Sequence, residues 1–172
     1  MKLKEITDAI WCNNLKMYVE SLTTILPYKK IIDTLELTKY AFIFNDDIYV
    51  VDFDYKNAVE LKFAVLTFYM VDKNNKLIYD QTNKNKYASP CFGTVLDIIK
   101  QEKNNWNAIC FTGSGESRVG IYTQLFKKHA SDMFTYHQLL PEGTLFIISK
   151  IKIQPELLTI LVKTAEDIIS RK

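Results

Sequence analysis

Arginine is nearly missing from this 172-residue chain: of its 22 basic side chains only Arg118 and Arg171 are arginine, and the rest are lysine. Against 20 acidic residues the formal charge is only +2. Nor is positive charge gathered anywhere, since residues 1–90 hold 12 basic and 12 acidic side chains and residues 91–172 hold 10 and 8. A nucleic-acid binder concentrates its cations on one face or in one run, so nucleic acid is not an expected partner. Lysine, asparagine and isoleucine, all plentiful here, are what an AT-rich genome encodes, and the lysine excess reads as codon usage.

Cysteine and histidine are scarce too. Cys12, Cys91 and Cys110 are odd in number, far apart and form no CxxC pair, which argues against a disulfide framework or a zinc site. Cys91 and Cys110 lie in apolar surroundings and read as small core residues. His129 and His137 have no cysteine or carboxylate at metal-ligand spacing, so no metal is expected. No apolar run approaches the ~20 residues needed to span a bilayer, and MKLKEITDAIWCNN lacks the apolar core of a signal peptide. The expectation is a reducing setting, the cytoplasm of a host cell or a virion, with no membrane span.

What is present has globular proportions: 48% hydrophobic and 24% charged residues over a length suited to one domain, 1–172. Leu15, Tyr18, Val19, Leu22 and Leu26 recur at helical spacing before Pro27, predicting an N-terminal helix over 14–26 and a helical part over 1–39. From 40 to 150 a mixed-sheet core is expected. Tyr40, Phe42 and Phe44 precede the turn Asn45-Asp46-Asp47, and Tyr49, Val51, Phe53 and Tyr55 share one face of the next strand. LKFAVLTFYM at 61–70 is apolar on both faces and reads as the central strand of an antiparallel meander. Residues 72–88 read as an exposed loop. A helix over 92–102, a buried strand WNAICF at 106–111, a helix over 118–130, a short strand at 134–136, the strand TLFIISKIKI and a C-terminal helix over 155–172 follow. The fold class is therefore α+β, or mixed α/β: N-terminal helix, meander, then α-β-α-β-β and a closing helix.

The stretch that could carry chemistry is Phe111-Thr-Gly-Ser-Gly-Glu-Ser-Arg118, where a buried strand gives way through glycines to a helix start. Glycine permits positive φ and close backbone approach, and the free N–H groups of a first helical turn attract an anion. Gly113, Ser114, Gly115, Ser117 and Arg118 are thus the candidate binding residues. Arg118 is the telling one, because a cation at a helix start opposes the dipole and gains by pairing with a carboxylate or phosphate. A plain helix cap by Ser114 or Ser117 would also explain the sequence. The stretch has no P-loop ending, no third glycine of a dinucleotide fingerprint and no Gly-x-Ser-x-Gly, and so matches none of these motifs. Asp46, Asp47, Asp52 and Asp54 cluster about a hairpin and read as a solvated sheet face.

The segment Trp106 to Lys150, with a helix carrying Tyr122 in IYTQLFKKHA, the strand FTYH and the closing strand TLFIISK, resembles the C-terminal half of GNAT-type N-acetyltransferases. It is similar also to small phage-encoded proteins with a Ser-Arg-x-x-x-Tyr helix. The resemblance implies a GNAT-like three-layer arrangement, with Tyr122 in the place of the catalytic general acid that protonates the departing thiolate. The family's Arg/Gln-x-x-Gly-x-Gly/Ala loop, which holds the acetyl-CoA pyrophosphate, corresponds to Ala88-Ser-Pro-Cys-Phe-Gly93, where only the last glycine agrees. The expected function is therefore that of a binding or structural protein, encoded by a phage or mobile element, with a degenerate acetyltransferase-like domain acting through protein contacts and no cofactor. The alternative is an acyl-CoA-dependent N-acyltransferase using acetyl-CoA, the helix start at 113–118 and Tyr122. Leu157, Leu158, Ile160, Leu161 and Val162 spread apolar surface around the 155–172 helix, through which a protein partner or a second copy could dock.

Overall fold

The computed structural model describes residues 24–78, 89–113, 128, 130–141 and 143–171. Their frame is one eight-stranded mixed sheet. β1 (Tyr28–Asp33), β2 (Leu37–Phe44), β3 (Asp47–Ala58) and β4 (Leu61–Val71) form an antiparallel meander. A two-residue strand β5 (Leu77–Ile78) folds back on the end of β4. Helix α1 (Ser89–Gln101) then crosses to β6 (Ala108–Gly113), which lies parallel to β4. β7 (Phe134–Leu140) and β8 (Gly143–Ser149) make a hairpin that docks by β8, giving the order β1-β2-β3-β4-β6-β8-β7. Helix α2 (Pro155–Ile169) closes the described chain, with proline in its first turn, where a missing N–H costs nothing.

Local chemistry explains the hairpins. Asn45 and Asp46 both have positive φ, 51° and 66°, as a two-residue turn with the twist of its flanking strands requires. The β3–β4 turn instead puts the β-branched Val59 at φ 57°, a left-handed conformation that its side chain resists. Alternation does the rest on β2, where Thr38, Tyr40 and Phe42 are buried and their neighbours less so.

Two apolar cores flank the sheet. On one face Tyr40, Phe42, Val51, Phe53, Leu66, Ile109 and Phe146 pack with Cys91, Val95 and Ile98 of α1. Phe42, Tyr49 and Phe68 stack there at centroid separations of 5.4 to 6.2 Å, across three strands. On the other face Phe63, Val65, Cys110, Leu145 and Ile147 meet Leu161, Ala165 and Ile168 of α2. Leu157, Leu158, Val162 and Ile169 are half-buried against the same core, and Ile160 is 49% exposed.

The fold expected from the sequence is corrected on its architecture. The described chain is chiefly a mixed sheet opened by an antiparallel meander, with two helices, and not a GNAT-like three-layer α/β arrangement led by an N-terminal helix. The helix expected over 14–26 falls mostly outside the described residues; Thr24–Leu26 are not helical, and the next element is a strand. YKKIID shows no alternation, being exposed at five of six positions, and is a strand only because its backbone pairs with β2. The helix expected over 118–130 also lies outside the described residues, save its last positions. β7 runs four residues beyond the expected 134–136, because β8 supplies partners through Leu140↔Gly143.

Candidate functional site

Two buried carboxylates dominate the polar structure of the sheet: Glu102, which did not stand out in the sequence, and Asp52, which the sequence placed in an acidic cluster on a solvated face. Glu102 follows the last turn of α1, seven residues after Val95 and four after Ile98, so it continues that helix's buried stripe. It is 1% exposed, yet every lone pair is engaged. Tyr40 and Lys30 donate to Oε1, the lysine at 3.1 Å, while Tyr55 and Asn105 donate to Oε2, each at 2.6 Å. Burial alone would raise this carboxyl, but the four donors outweigh it and hold the group down at about 2. The partners shift the other way: burial and the carboxylate push Tyr40 up to about 12 and Tyr55 higher still. Burial works against the Lys30 ammonium, but hydrogen bonds to Glu102 and Tyr40 raise it overall. A carboxylate so saturated has no lone pair left to take a proton from a substrate. Its work is to pin the end of α1 to β1, β2 and β3.

On the opposite face, Asp52 of β3 is 4% exposed, and Lys39 of β2 pairs with it at 3.1 Å. Tyr69 of β4 donates its hydroxyl to Asp52 at 3.3 Å and accepts from Lys39 at 3.2 Å. Burial lowers the Lys39 ammonium, but Asp52 and Tyr69 together raise it. The acidic cluster about this hairpin is thus not uniformly a solvated face. Asp46 is exposed in the turn, whereas Asp47 is buried, at 7% exposure, and Asp52 sits in an ion pair that the β2↔β3 register, Lys39 opposite Asp52, dictates.

Of the residues singled out for binding, Gly113 is described. It ends β6 opposite Thr144 of β8. Ser114, Gly115, Ser117, Arg118 and Tyr122 lie outside the described residues, as does His129. The surroundings of Gly113 are nevertheless distinctive. The parallel β4·β6 ladder has three rungs, Phe63↔Ala108 to Val65↔Cys110, whereas the β6·β8 ladder continues to Gly113↔Thr144. Beyond Cys110, β6 keeps company with β8 and its ladder with β4 has ended; β4 meets β5 at Met70↔Ile78. The two parallel strands therefore part toward their carboxyl ends, the place where ligands enter sheets of this kind. Gly93, the one residue agreeing with the acetyltransferase cofactor loop, is buried inside α1.

The remaining candidates are placed as follows. Cys91 and Cys110 are buried free thiols; burial lifts Cys91 to about 12 and Cys110 further. His137 is exposed on β7, its ring edge-on to Phe146 at 6.1 Å. Among the described residues no group of three His, Cys, Asp or Glu side chains is placed to hold a metal ion, and no helix is long and apolar enough to cross a membrane. Comparison with family models, with curated proteins and with solved structures finds no match.

Proposed function

We propose that this protein acts by binding, and that its contact site is the mouth where β4 and β6 part, continued by Gly113 into Ser114, Gly115, Ser117 and Arg118. The observation that carries this reading is the commitment of the buried acids to the frame. Glu102 and Asp52 are each held by lysine and tyrosine, which makes them braces for a surface and unsuitable as bases. A partner protein presenting a carboxylate or phosphate would fit the side-chain chemistry of that stretch, Arg118 above all. This is the behaviour expected of a phage- or mobile-element-encoded protein working in a host cytoplasm or a virion, and the exposed Ile160 of α2 offers a secondary contact for a partner or second copy.

A second reading is favoured by the parting itself. An opening beside the carboxyl end of a parallel strand suits an extended cofactor arm, and an acyl-CoA-dependent N-acyltransferase would use it with Arg118 on the phosphates and Tyr122 as the acid. Titration calorimetry with acetyl-CoA separates the two. The binding reading expects no saturable heat; saturable binding that Arg118→Ala abolishes would replace it with the second. A thermal scan distinguishes them as well, because acetyl-CoA at a hundredfold its dissociation constant would add about 2.7 kcal/mol to stability.

A further inference from the structure

We draw no further inference here: the strongest candidate, the aliphatic patch that Ile43, Ile48 and Leu77 form with Val71 across β2, β3, β4 and β5 at one end of the sheet, carries none because nothing in the structure shows what covers it.

Discussion

Lys39 and Tyr40 are neighbours on β2 that turn to opposite faces of the sheet, and each ends on a buried carboxylate, Asp52 for the lysine and Glu102 for the tyrosine. One strand thereby ties down both sides of the meander. The cost of desolvating each acid is offset only while all its donors stay in place.

Glu102→Gln removes the charge that Lys30, Tyr40, Tyr55 and Asn105 surround. It is expected to destabilise the fold by about 3 kcal/mol, as loss of one partner in a buried pair does. Tyr55→Phe, which deletes one charge-assisted hydrogen bond, should cost about 2 kcal/mol. Urea unfolding of the two variants beside wild type measures both, and a Glu102→Gln protein as stable as wild type would show that the cluster braces nothing.

The same carboxyl sets an acid limit. Its pKa is about 2 in the folded chain against an ordinary 4.5, so on acidification the unfolded chain takes up this proton first. The stability Glu102 contributes is therefore complete above about pH 4.5 and is lost as the pH falls toward about 2. The urea midpoint should drop over that window in wild type and drop less in Glu102→Gln.

Val59 holds a positive φ in the β3–β4 turn while its side chain is 82% exposed, so packing gives nothing back for the strain. Asparagine tolerates that conformation. Val59→Asn is expected to raise stability by about 1 kcal/mol, read as a higher melting temperature without change in the spectrum.

Cys91 and Cys110 have thiols that burial lifts well above the usual range. Neither should be alkylated by iodoacetamide in the folded chain at mildly alkaline pH, and both should react once urea unfolds it. Peptide mass mapping with and without urea checks this, residue by residue.

Much of the frame is written in local periodicity. Tyr49, Val51, Phe53 and Tyr55 alternate along β3, LKFAVLTFYM is apolar on both faces because β4 is interior, and Leu161, Ala165 and Ile168 mark the inward stripe of α2. The glycine that ends β6 was legible too, since a strand running into Gly113 needs no distant partner to be recognised. Glu102 left a fainter trace: its place in the stripe of Val95 and Ile98 predicts burial, and Asn105 is the one donor near it in sequence, while Lys30, Tyr40 and Tyr55 come from distant strands.

The sequence by itself determined which residues could form strands and helices and which of their faces were apolar, because those depend on spacings of two to four residues. Only the tertiary structure decided that YKKIID would be a strand, that β8 would lie between β6 and β7, and that Glu102 would be held by Tyr40, 62 residues before it. Strand pairing and carboxylate solvation are contacts between segments remote in the chain. Their partners are chosen by which backbone edges and donors the whole fold brings together, and no local period records that choice.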